Sequence, residues 1–283
     1  MNTAIATLAI GDKYLRNFNR YCRKLWSAYA SKYGFDLIVI TEPLDSGQRA
    51  RSRNPAWQKC LILSCEALRN YERVIWVDSD IIINPASPNI CCEVPLDKIG
   101  AADAYATPNR EDYRANLEQS YRYWSKNNIP YINNLTAADF HNSFGLDCDF
   151  ESVVQTGVLV MSPKYHKELM EHVYYSYEDK GESFWCYEMR PLSYEIIKSN
   201  LEFWLSPKFN MIWPDIKQSV YPFLNSKTNF LSNVLDLINI NTRSSLITKC
   251  ATTAYLNNYF LHFAASTNEM KYVDSSITSK FEL

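Results

Sequence analysis

The sequence predicts an α/β domain with a central, mostly parallel sheet flanked by helices. Three observations predict it. Strand-length apolar segments rich in β-branched residues alternate with segments whose apolar residues recur at helical spacing. The gaps between them in the first 80 residues are short, as successive β-α-β units with right-handed crossovers require. A chain of 283 residues, 47% hydrophobic and 21% charged, is also long and apolar enough to bury a sizeable core.

Residues 3–10 read as the first strand. From Tyr14 to Tyr33 the set Leu15, Phe18, Cys22, Leu25, Trp26 and Tyr29 keeps helical spacing, and Gly34 stops that helix. Phe35 to Thr41 is a second strand, ended by Pro43. A basic loop comes next, with Arg49, Arg51 and Arg53. Asn54 then caps a helix with Pro55 at its first position, running to about Asn70. The third strand starts at Val74. Beyond Pro85 the chain reads as irregular to Gly100. Then come a strand at Ala101–Thr107, a polar helix at Arg110–Asn127 and a loop over 128–150. Ser152–Met161 is strand material whose Gly157 permits close backbone approach. Helices are expected from Pro163 to Tyr177, over Phe184–Asn200 despite Pro191, and at Asn229–Ile240. Strands are expected at Leu201–Leu205 and Tyr259–Ala264, and a polar, mobile tail after Ala265.

Composition removes several function classes. A net charge of −2 implies no broad basic surface, so no nucleic-acid partner is expected. No apolar run approaches the ~20 residues a membrane span needs. The N-terminus enters a strand without the charged region of a signal peptide. Eight cysteines lack paired zinc spacing and several sit in apolar periodic segments, which points to free thiols in a reducing, cytoplasmic setting.

The chemistry is expected at Val74–Pro85. A buried β-rich run ends in Asp78-Ser79-Asp80, and a second apolar run comes after it. Burying carboxylates in such surroundings is costly unless they are paired or bind a cation. Two of them at i and i+2, where a strand turns, can reach one hard metal, Mg²⁺ or Mn²⁺, whose open positions suit phosphate oxygens. An Asx turn without a metal is the competing reading.

Taken together, five short segments in the same order resemble the sugar-nucleotide glycosyltransferases of the GT-A fold, mostly family 8 with some family 34 character. The resemblance implies that Thr7, Leu8, Ala9 and Tyr14 cup a nucleoside. It implies that Lys59 reaches the donor's phosphates and that Asp78 and Asp80 hold Mn²⁺ with His262 as a third ligand. Gln155 and Gly157 fall on the strand near the sugar, with Gln where the family has Asn. Glu188 stands for the sugar-proximal acid, with Met189 after it in place of a polar residue. Phe209-Asn210-Met211 matches the segment that comes next, and Ala264-Ala265 replaces the small-residue turn after the histidine.

The same resemblance implies one GT-A domain. Residues 1–165 form its nucleotide half, 166–265 its acceptor side and 266–283 a tail. The activity would be metal-dependent transfer of a hexose or pentose from a nucleotide sugar, UDP-linked, to a glycan or glycoconjugate hydroxyl, with retention and with Asp80 and Glu188 closest to the chemistry. An inverting enzyme with Glu188 as base and an inactive glycan-binding descendant are the alternatives. Two other classes fit poorly. An aspartate-nucleophile phosphatase wants its Asp-x-Asp on the first strand, and a nucleotidyltransferase needs a glycine-rich N-terminal loop, whereas Gly11 stands alone in the first 33 residues.

Overall fold

The computed structural model describes residues 2–181, 186–225 and 242–280. Its spine is a six-stranded sheet in the order β2-β1-β3-β6-β5-β7. The strands are β1 (Thr3–Leu8), β2 (Asp36–Ile40), β3 (Arg73–Val77), β5 (Ile99–Ala101), β6 (Val158–Met161) and β7 (Glu202–Trp204). Parallel pairing joins β1 to β2 and β3, and β5 to β7. Only β6 runs against its neighbours β3 and β5. A second sheet, β4-β9-β8, is formed by β4 (Ile81–Ile83), β8 (Met211–Ile212) and β9 (Phe260–His262).

Two-residue alternation gives the main sheet two buried faces. Ile5, Ile75, Val77, Val158 and Val160 pack on one side with Leu25, Trp26 and Tyr29. Ala4, Ala6, Val74, Trp76, Leu159 and Met161 pack on the other with Trp57, Met170 and Tyr174. The first helical run is α1 (Asp12–Asn17), a π-helical segment Phe18–Cys22 and α2 (Arg23–Tyr33). Gly34 ends it in the left-handed conformation, φ 68°. Trp26 is fully buried and its indole N–H donates to the Ile81 carbonyl at 2.9 Å, tying α2 to the strand after the two aspartates.

Several expectations change. The basic loop holds a short helix, α3 (Gln48–Arg51), and Arg49 and Arg53 brace the fold. Arg53 is buried, stacks on Trp57 and Tyr174, and donates to the Tyr174 and Tyr177 carbonyls and to Glu178. The helix capped by Asn54 is a 3₁₀ helix, Pro55–Ser64, shorter than expected. Every side chain from Trp57 to Leu63 is buried, so packing on all sides fixes it and no amphipathic face is needed. The strand expected at 101–107 covers only Ile99–Ala101, and the 128–150 segment contains α5 (Ala137–Asn142), closed by a Thr136–Asp139 capping box.

The helices expected at Arg110–Asn127 and Pro163–Tyr177 are α4 (Arg110–Lys126) and α6 (Pro163–Ser176), and the one expected over Phe184–Asn200 starts only at Met189, as α7 (Met189–Lys198). Pro191 lies in the first turn of α7, where helix N–H groups have no intrahelical acceptor and a missing one costs nothing. The helix expected at Asn229–Ile240 lies outside the described residues, as does the segment at 182–185. After α8 (Trp213–Ser219) and α9 (Thr242–Asn257), the tail is not loose. Met270 is completely buried, and Glu269 accepts from the Trp213 indole at 2.6 Å and pairs with Lys217 at 2.7 Å. One buried methionine and one paired glutamate in a polar stretch are too few to show in composition. Among the described residues, no helix is long and apolar enough to cross a membrane.

Candidate metal centre and donor cleft

The two aspartates leave β3 through a tight turn. The Asp78 N–H donates to the Gly157 carbonyl at 2.9 Å, and the Asp78 carbonyl accepts from Ile81 N–H at 3.1 Å. Ile81 then opens β4, whose antiparallel register sets Ile81 opposite His262. The Phe263 N–H donates to the Asp80 carbonyl at 3.0 Å and locks that register. Three side chains from distant parts of the chain therefore converge. Ligand atoms of Asp78, Asp80 and His262 all lie within 4.8 Å of one another.

The imidazole is oriented from behind. His262 Nδ1 is 2.9 Å from Asn210 Oδ1, an acceptor, so Nδ1 carries the proton and Nε2 turns its lone pair toward the carboxylates. Nε2 lies 3.3 Å from Asp80 and 4.0 Å from Asp78. Gly157 makes room for this. A Cβ there would sit 2.6 Å from His262 Cε1, far inside contact distance. Burial pulls the imidazole pKa down, but the Asp80 and Asp78 carboxylates outweigh it and hold it above the ordinary value. Burial likewise disfavours charge on Asp80, and His262 overcomes this, so its pKa falls below the usual carboxylate value. Burial raises that of Asp78, which Lys59 and His262 offset only in part.

Lys59 stands behind Asp78. Its ammonium is 3.0 Å from Asp78 and 2.9 Å from Glu188, and donates to the Thr156 carbonyl at 3.3 Å. Burial works against its charge, but Asp78 and Glu188 win and raise its pKa. The three ammonium hydrogens are thus shared among protein groups. Glu188 is buried and also accepts from Thr156 Oγ1 at 3.1 Å, and Trp76 Nε1 holds Asp78 Oδ1 at 2.9 Å.

A cleft of about 320 Å³ opens above this cluster. Leu8, Tyr14, Lys59, Asp78 and Asp80 line it, together with Pro55, and the Tyr14 ring is 55% exposed at its edge. Thr7 and Ala9 are completely buried and lie outside the lining. Gln155 turns back on its own backbone, accepting from Gly157 N–H at 3.2 Å. Sequence reasoning did not single out Trp76 or Thr156 for the site. It quoted Asn210 only within a matching segment, and nothing about an asparagine after a phenylalanine announces a hydrogen bond to a histidine 52 positions on.

The donor set fits a divalent cation: two carboxylates and one imidazole whose Nε2 faces them, at a mutual spacing one ion can span. Mixed oxygen and nitrogen ligation is tolerated by Mn²⁺ better than by Mg²⁺.

No protein-family model matches the sequence, and no curated protein matches it. Solved structures do match. A glycosyltransferase involved in glycosylation of the major capsid of PBCV-1 superposes with a TM-score of 0.50 at 14% identity, over 95% of this chain and 100% of that one. The galactosyltransferase LgtC, in complex with donor and acceptor sugar analogues, gives 0.46 at 10% identity, over 99% and 96%. The bifunctional glycosyltransferase WbbM gives 0.42 at 12% identity, over 99% and 51%. At these identities the likeness is one of architecture, and it rests on the first of the three. The chain has the GT-A fold of a glycosyltransferase.

Proposed function

We propose that this protein is a metal-dependent glycosyltransferase that moves a hexose or pentose from a UDP-linked donor to a glycan hydroxyl with retention. The observation that carries the reading is the convergence of Asp78, Asp80 and His262, with both aspartates lining an open cleft. These three would hold Mn²⁺. When bound, the cation supplies the positive charge that neutralises a departing diphosphate. Asn210 keeps the His262 nitrogen available, and Trp76 and Lys59 keep Asp78 oriented. Tyr14 and Leu8 form the wall on which a base would lie.

Retention is supported by the state of Glu188. Its Oε1 takes both the Lys59 ammonium and the Thr156 hydroxyl, a pairing that holds the carboxylate in place. It suits a fixed charge better than a general base. Residues 1–165 supply the cleft and both aspartates, and the later part supplies His262, Glu188 and the acceptor side. The eight cysteines are all free, in keeping with a reducing, cytoplasmic setting.

Thermal denaturation with UDP, UDP-glucose, UDP-galactose and UDP-xylose, each with and without Mn²⁺, tests the reading. Ligand at a hundred times its Kd stabilises by about 2.7 kcal/mol, which shifts Tm by several degrees. Nucleotide and Mn²⁺ together should exceed the sum of their separate shifts. No shift with any nucleotide in the presence of Mn²⁺ would refute it.

A further inference from the structure

On the far side of His262, strand β8 pairs in parallel with β9, and Ile212 lies beside the histidine. Trp213 and Pro214 then start α8, which places Asp215 in its first turn, three residues from the histidine's neighbour. The Asp215 main-chain carbonyl is used, accepting from Asn116 Nδ2 at 3.3 Å and Ser219 Oγ at 2.9 Å. Its half-buried carboxylate makes no hydrogen bond or ion pair among the described residues. Every other carboxylate around His262 is taken: Asp80 by the imidazole, Asp78 by Lys59 and Trp76, Glu188 by Lys59 and Thr156. Burial pushes the Asp215 carboxyl up to about 6, and His262 pulls it back only in part. The carboxylate is half-exposed and keeps its acceptor positions open to a donor from outside the chain.

The surroundings of Asp215 indicate the ligand. Asn116, which holds the Asp215 carbonyl, stands one turn along α4 from Tyr113, and Tyr113 lines a cleft of about 400 Å³ between α4 and α5. Tyr105, Tyr113 and Phe150 give this cleft aromatic walls. Its arginines are already held, Arg110 by Asp103 and the Glu151 carbonyl, Arg114 by Glu118. Asp149 and Glu151 leave its rim acidic. Phe150 and Gly157 are seven residues apart, so cleft and metal centre are separated by at most about 25 Å of chain. Aromatic faces suit the C–H faces of sugar rings, and acidic rims repel phosphorylated or uronic sugars.

We propose that Asp215 binds the acceptor: its carboxylate accepts hydrogen bonds from the hydroxyls of a neutral oligosaccharide that lies over Tyr113 and extends into the α4–α5 cleft. This assignment rests on the glycosyl-transfer reading. The test uses the whole protein with Mn²⁺, the UDP-sugar giving the largest thermal shift, and lactose, maltotriose and methyl galactoside as probe acceptors, with glucuronic acid as the charged counter-probe. Asp215→Asn should raise the acceptor KM at least tenfold, keep the donor KM within twofold and raise Tm, whereas a structural carboxylate would lower Tm when replaced. Asp215→Glu should recover part of the acceptor KM. Acceptor KM within twofold of wild type in Asp215→Asn overturns the assignment. UDP release by the wild type without transfer to any neutral probe overturns the acceptor class. No UDP release from any donor overturns the glycosyl-transfer reading, and the role of Asp215 with it.

Discussion

Asn210 sets the proton on His262. Its Oδ1 accepts from Nδ1, which leaves Nε2 facing Asp80 and Asp78. Removing such an outer partner from a metal-binding histidine typically costs 10–100-fold in affinity. Asn210→Ala should therefore weaken Mn²⁺ binding by that factor, measured by calorimetry in the presence of UDP. Equal affinity in a folded variant would mean that the imidazole needs no help. Protons compete for the same nitrogen, and the neighbouring carboxylates raise the His262 pKa. Mn²⁺ affinity in the wild type should thus fall already as pH drops toward the ordinary histidine range.

At the scale of elements, a buried histidine helps dock α5 on α7. His141 Nδ1 is 2.9 Å from the Ala137 carbonyl, and Nε2 is 3.1 Å from Ser193 Oγ on α7, which in turn accepts from Val154 N–H at 2.8 Å. Burial depresses its pKa to about 4. The unfolded chain takes up this proton near pH 6.5 and the native one only near 4, so stability rises with pH across that window and is lost as pH falls through it. The loss reaches roughly 3 kcal/mol below pH 4. Urea midpoints from pH 7 to 4 should show it, and His141→Gln should flatten that part of the profile. A slope unchanged by the substitution would clear His141 of the effect.

Over the whole molecule, the last described segment closes the second sheet's surroundings. Met270 is completely buried in the same core as Trp26 and Phe263, and Glu269 bridges Trp213 and Lys217. Met270→Ala should cost about 2–5 kcal/mol, the usual range for a buried methionine. Denaturant unfolding measures it. A cost within the ~0.5 kcal/mol typical of surface changes would return the segment to the mobile tail its composition suggests. The closure matters for function because β8, α8 and β9 carry Asn210's neighbour Met211, Asp215 and His262.

Sequence alone determined the parts whose physics is local. Apolar runs rich in β-branched residues placed β1, β3 and β6, helical spacing placed α2, and Gly34 marked a helix end because only a left-handed residue closes it that way. Two aspartates at a strand end were legible as a candidate cation site because burying them otherwise is too costly. Tertiary structure decided everything that depends on long-range register. The pairing of Ile81 with His262 brings the imidazole across 181 positions, and no local pattern encodes it. It also decided which charges are free. Lys59, the basic loop and Glu188 look available in one dimension, yet each is committed to partners far away in the chain, while Asp215, unremarkable in sequence, keeps its carboxylate unpaired among the described residues. Partner identity is a property of packing, and packing is set by contacts that a linear reading does not contain.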